Sequence, residues 1–87
     1  MSHTMAIEVL KDSACKAVGM KQTIRAIKEH SATVVFIAND ADKHIKDAIV
    51  NACEQNGIEI EYVDTMEQLG EACGIEVGAA TAAILKA

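Results

Sequence analysis

The chain has 87 residues, a formal charge of −5 and no proline, enough for one small domain that buries roughly 60% of its unfolded surface. No apolar stretch approaches the roughly 20 residues of a membrane span. Net acidity argues against a general nucleic-acid coat, which needs a broad basic footprint, and with only Phe36 and Tyr62 aromatic a single-strand stacking platform is not expected.

The charge is unevenly spread. Residues 1–46 carry seven basic and five acidic side chains, a net +2, whereas residues 47–87 carry one basic and eight acidic, a net −7. A small local basic site therefore remains open. Cys15, Cys53 and Cys73 are odd in number and lack C-x-x-C spacing, which fits a reducing cytoplasm rather than a disulfide framework. No secretory signal pattern opens the sequence. Residues 1–4 are expected to be disordered or to have been added ahead of Met5, an alternative start.

In chain order, Ala6, Val9, Leu10, Ser13, Ala14 and Ala17 recur at helical spacing and predict a first helix over about residues 5–15. A short extended piece near Val18 follows, broken by Gly19. A second helix is predicted from Met20 to about His30, with Met20, Ile24 and Ile27 on its core side. Thr33-Val34-Val35-Phe36-Ile37-Ala38 is an unbroken apolar run, as expected of a strand covered on both faces. Asn39-Asp40-Ala41-Asp42 then supplies N-cap chemistry for a third helix. Ile45, Ala48, Ile49, Ala52 and Cys53 make its apolar stripe, and Gly57 is the expected C-cap.

Ile58 to Val63 alternates as a strand whose Glu59 and Glu61 face one way, the pattern of a sheet edge. Thr65 and Gln68 are placed for a capping box on a short fourth helix ending at Gly74. Ala79 to Leu85 closes the chain as a small-residue strand. The segment from Val34 to Val63 reads as a βαβ unit. The fold class is α/β: a three-layer α/β/α sandwich on a small mixed four-stranded sheet, forming a single domain over residues 1–87.

Two segments carry chemistry. On the second helix Lys21, Arg25 and Lys28 fall within about 60° of one another, away from Ile24 and Ile27. Gly19 leaves the backbone N–H groups of the first turn open to a ligand, and with the helix dipole they favour an anion such as phosphate. Gln22 offers a donor and an acceptor to a base edge. A solvated polar face is the bland alternative. The second segment is Ile75-Glu76-Val77, an apolar-acid-apolar tip between Gly74 and Gly78. Connecting loops are usually polar, so this tip reads as a contact surface, or else Ile75 and Val77 tuck under the domain.

Taken together, Gly19-Met20-Lys21-Gln22-Thr23-Ile24-Arg25-Ala26-Ile27, Ala38-Asn39-Asp40-Ala41-Asp42 and Leu69-Gly70 with Ala72-Cys73-Gly74-Ile75-Glu76-Val77-Gly78-Ala79-Ala80 resemble one family in its own order. It is the kink-turn-binding ribosomal-protein superfamily typified by archaeal L7Ae, and the likeness is closest to small bacterial members of the YbxF type. The resemblance spans about Leu10 to Leu85, and its last motif is the specific part.

It implies a non-catalytic RNA-binding protein that recognises kink-turns, internal RNA loops bent sharply around tandem G·A pairs. Gly19, Lys21, Gln22 and Arg25 would meet the G·A pairs and adjoining phosphates, with Lys28 extending the basic stripe. Ile75, Glu76 and Val77 would pack on unpaired nucleotides. The implied partner is a structured RNA, ribosomal or riboswitch, bound by a monomer that needs no cofactor, metal or membrane. Shape recognition rather than total charge would carry binding.

Lys21-Gln22 stands where many members have Asn-Glu, and Glu71 stands where the family usually has Arg or Lys. Glu29-His30 and Asn39 are also less basic than is usual there. Such changes lower RNA affinity or shift the preferred RNA. The alternative reading is a protein-interaction module of the same fold, docking a basic partner on the Ile75–Val77 tip. Elsewhere Cys53 sits on a core stripe and reads as packing. Cys73 has no cation nearby in sequence that would activate it. His3, His30 and His44 lack metal-ligand spacing, and Asp40 and Asp42 read as helix caps. No nucleophile–base set or phosphate-binding glycine loop appears, so catalysis is not expected.

Overall fold

The apolar run at the centre of the chain forms the strand on which the other elements are organised. In the computed structural model, which describes residues 9–11 and 15–86, it is β2 (Ala32–Ala38). Before it come a helical segment α1, described at residues 9–11, then β1 (Lys16–Val18) and α2 (Met20–Lys28). After it come α3 (Lys43–Asn56), β3 (Glu59–Val63), α4 (Met66–Cys73) and β4 (Thr81–Leu85).

The sheet order is β1-β4-β2-β3. β4 pairs antiparallel with both β1 and β2, and β2 pairs parallel with β3. The chain's last strand is thus internal, and its alanines suit that place. Ala82 and Ala83 are fully buried on opposite faces, one in each of two cores. Phe36, Ala82 and Ile84 lie with Leu10 of α1 and Leu69, Ala72 and Cys73 of α4. Val35, Ile37 and Ala83 lie with Ala26 and Ile27 of α2 and Ile49 and Cys53 of α3. Two helices on each face make the three layers.

β3 is an edge strand, with Glu59 exposed. Gly57 caps α3 at φ 65, the left-handed conformation glycine adopts without Cβ strain.

Three boundary and burial expectations are corrected. Val9 is 54% exposed although its spacing put it on the core stripe, and Leu10 beside it is the residue that is buried. Met20 is 37% exposed, because the inward place in the first turn of α2 is taken by Thr23, which is fully buried. Thr23, Ala26 and Ile27 are the residues of α2 that are buried. That helix stops at Lys28 rather than His30, since His30 takes φ 58, and Ser31 N–H and Oγ–H both donate to the Ala26 carbonyl, at 2.9 and 3.2 Å. The expectation for residues 1–4, and most of the predicted first helix, lies outside the described residues.

Candidate nucleic-acid interface

One end of the sheet gathers three chain segments. The first is the start of α2. Gly19 takes φ 93, and no side chain caps the helix. Its N–H donates to the Thr81 carbonyl at 2.9 Å, and its own carbonyl accepts from Thr23 N–H at 3.0 Å. The backbone N–H groups of Met20, Lys21 and Gln22 precede the first intrahelical bond, so they sit at the positive end of the dipole with no helical acceptor. Lys21, Gln22 and Arg25 are exposed. Arg25 Nε lies 3.7 Å from Glu29 Oε2, an exposed pair that restrains the guanidinium only weakly.

The second segment is the lip, residues 75–77. Its shape follows from how α4 ends. Gly74 stops the helix at φ 82; its N–H donates to the Glu71 carbonyl at 3.0 Å and Ile75 N–H to the Gly70 carbonyl at 3.1 Å, the two bonds of a Schellman motif. The chain then doubles back along α4. Val77 O approaches so closely that a Cβ on Gly70 would lie 2.0 Å from it, and Gly78 passes Met66 with a virtual Cβ contact of 3.1 Å. Ala79 N–H closes the return on the Met66 carbonyl at 3.0 Å. With its backbone pressed on the helix, the lip has only the outside for its side chains. Val77 is 70% and Ile75 37% exposed, and Glu76 is exposed too. They do not tuck under.

The third segment links β2 to α3. Asp42 caps α3, accepting from His44 N–H at 2.8 Å. Asp40 instead caps α4, 26 residues away, by accepting from Met66 N–H at 2.7 Å. Thr65 Oγ1 adds its half of the expected box, accepting from Gln68 N–H at 3.1 Å. Lys46 Nζ donates to the Asn39 carbonyl at 3.0 Å.

Because the lip runs directly into Ala80 and Thr81, and Thr81 holds Gly19, the α2 tip and the lip emerge at the same end of the sheet. Ala38 N–H bonded to the Ala80 carbonyl at 2.9 Å ties β2 into that end as well. The start of α2, with Gly19, Lys21 and Gln22, is therefore tied to the same end of β4 that the lip, with Ile75, Glu76 and Val77, leads into, and Arg25 stands one turn behind. Lys28 is not brought in, being seven residues, or about 10 Å, further along α2 than Lys21. Gly70 and Asp40 shape the lip without having been singled out for it. A glycine inside an amphipathic helix, which costs about 1 kcal/mol against alanine, was the available signal for the first. Nothing local distinguishes an aspartate that caps a remote helix.

The cysteines lie outside this end. Burial pushes the Cys53 thiol from its ordinary 9.0 to about 11. Cys73 is raised as well, by burial, against an opposing pull from Lys16. The sheet thus supplies a cation that sequence proximity did not, and burial still dominates. Among the described residues no three His, Cys, Asp or Glu side chains are grouped to hold a metal ion.

Residues 4–87 match the family described as ribosomal protein L7Ae/L30e/S12e/Gadd45. The chain belongs to that family. Among relatives of this L7Ae/L30e/S12e/Gadd45 chain, the "RNA-binding protein TTE2299" of Caldanaerobacter subterraneus subsp. tengcongensis is 52% identical over 68 residues, 78% of this chain and 83% of that protein. The "RNA-binding protein YbxF" of Geobacillus stearothermophilus is 43% identical over 82 residues, 94% of this chain and all of that one. Among solved structures, the Giardia lamblia 15.5kD RNA binding protein superposes with a TM-score of 0.89 at 26% identity, covering 98% of this chain and 75% of its own.

Proposed function

We propose that this protein binds RNA without catalysing a reaction, and that its preferred target is a kink-turn. The observation that carries the reading is the Gly19–Thr81 hydrogen bond of 2.9 Å, which yokes an uncapped, cation-flanked helix start to an exposed apolar lip. A straight duplex offers phosphates but no bare base, and an unfolded strand offers bases but no fixed phosphate pair. A sharply bent internal loop presents both on one side. Relatives named as RNA-binding proteins, aligned over most of this chain, point the same way.

In this reading the N–H groups after Gly19 and the Lys21 ammonium take phosphate or guanine oxygens. Gln22 bonds a base edge, and Arg25 reaches an adjoining phosphate. Ile75 and Val77 close on the unpaired nucleotide, while Glu76 between them faces away from phosphate and toward base or sugar donors.

The test is a titration against a kink-turn RNA and the same RNA with its G·A pairs replaced by Watson–Crick pairs. Binding is expected to the first and to fall at least about tenfold for the second, since losing a paired readout costs about 1–3 kcal/mol per position. Equal affinity for both would remove kink-turn recognition, and no affinity for either would remove RNA binding.

A further inference from the structure

β4 is antiparallel to both β1 and β2, and β3 is parallel to β2, so β1, β2 and β3 all run the same way. Each leads into a helix, and α2, α3 and α4 therefore all start at the end of the sheet where Gly19 meets Thr81. The three starts differ. Asp40 and Thr65 cap α4 and Asp42 caps α3, whereas no side chain caps α2. What α3 adds at this end is charge rather than open backbone. Its first turn carries Lys43 and Lys46 and no acidic residue. Cations at the positive end of a helix dipole destabilise the helix that bears them, and among the described residues neither lysine is in an ion pair. Helical side chains lean toward the N-terminus. Lys46 does so, its Nζ reaching back past the start of α3 to the Asn39 carbonyl at 3.0 Å, and Lys43 is exposed one turn nearer the end.

We infer that Lys43 and Lys46 are a second phosphate-binding point for the RNA, on α3, holding backbone that the start of α2 does not reach. The inference rests on the RNA-binding reading above and deepens it. α2 and α3 pack side by side on one face of the sheet, Ala26 and Ile27 against Ile49 and Cys53, with axes about 8–10 Å apart as for any packed helix pair. Their starts can thus serve one RNA at separate points. A sharply bent RNA supplies those points, because a second arm leaves the bend. Lys46 is pre-positioned: one N–H of its ammonium is spent on the Asn39 carbonyl, and two remain for phosphate oxygens. Contacts of this kind position the RNA without reading its sequence.

The experiment titrates the full 87-residue chain and the double variant Lys43→Gln with Lys46→Gln against a kink-turn RNA at several salt concentrations. The variant should bind at least about fivefold more weakly at about 0.1 M salt, with the slope of log K against log salt reduced by about two. Lys43→Gln alone, which breaks no hydrogen bond of the described residues, should lose about one of that slope. Lys86→Gln removes an exposed cation beyond the far end of β4 and is expected to leave affinity within about twofold. Urea unfolding serves as the folding check, and its midpoint for Lys43→Gln should be unchanged or higher, since the cation removed opposes the α3 dipole. Unchanged affinity and slope in both α3 variants, while the unaltered chain still prefers the kink-turn to its Watson–Crick-paired counterpart, would overturn this inference alone. A loss as large in Lys86→Gln would overturn it too, by reducing the two lysines to bulk charge. Absence of RNA binding by the unaltered chain would overturn both readings together.

Discussion

A Cβ on Gly70 would lie 2.0 Å from the Val77 carbonyl oxygen and 3.0 Å from Gly78 Cα. No rotamer change relieves a clash whose partners are backbone atoms. Gly70→Ala in an ordinary helix interior would gain about 1 kcal/mol from propensity. Here it is expected to cost about 2 kcal/mol or more, because either α4 or the lip must shift. Urea denaturation reads the loss, and RNA affinity should fall with it; a stabilised variant would mean the close approach is not maintained. Cys53 makes a second residue-scale prediction. Its thiol, fully buried and raised to about 11 from 9.0, stays protonated in the fold while the unfolded chain loses its proton above about pH 9. The folded state then binds more protons, so stability is full below pH 9 and declines as pH rises toward 11, by of order 2 kcal/mol. Cys53→Ala, though less stable at neutral pH, should show a shallower decline over that interval in thermal melts; an identical slope would assign the decline to other groups.

At the scale of elements, what was legible in the sequence is what depends on neighbours in the chain. The apolar periods of α2 and α3, the unbroken run of β2 and the glycine stops at Gly57 and Gly74 each rest on contacts within a few residues, and the structure has all of them. Val9 and Met20 are exposed because the apolar stripe is wider than the face that packs, and Leu10 and Thr23 take the inward places. Longer connections left no local trace. The α4 N-terminus is held by Asp40 from across the molecule, and α2 begins where β4 fixes Gly19. So the identities of the tip and lip residues could be read from the sequence, while their shared end depends on Thr81. Asp40→Ala tests this architecture. It removes a charge-assisted acceptor from the first turn of α4 and should destabilise the fold by about 1 kcal/mol. Because Met66 also anchors Ala79, hydrogen exchange should quicken at the lip amides more than in β2. Uniform acceleration would show that α4 does not transmit the loss to the lip.

For the molecule as a whole, the question is how a chain of net charge −5 holds a polyanion. Its charges are gathered by element: Lys21 and Arg25 stand exposed on α2, Glu67 and Glu71 on α4 and Glu76 on the lip. Affinity for RNA then depends on local placement, and individual charges should act with sign and size set by position. Arg25→Ala removes the phosphate contact proposed for Arg25 and leaves Glu29 without its 3.7 Å partner. RNA affinity should fall by about 1 kcal/mol, and the slope of log K against log salt should lessen by about one. Glu71→Lys replaces repulsion by attraction near the lip. It should strengthen RNA binding by about 1 kcal/mol and steepen the salt slope. If Glu71→Lys left RNA affinity unchanged at low salt, the Glu71 carboxylate would lie beyond reach of the RNA, and the acidity of α4 would not account for any weakening of RNA binding.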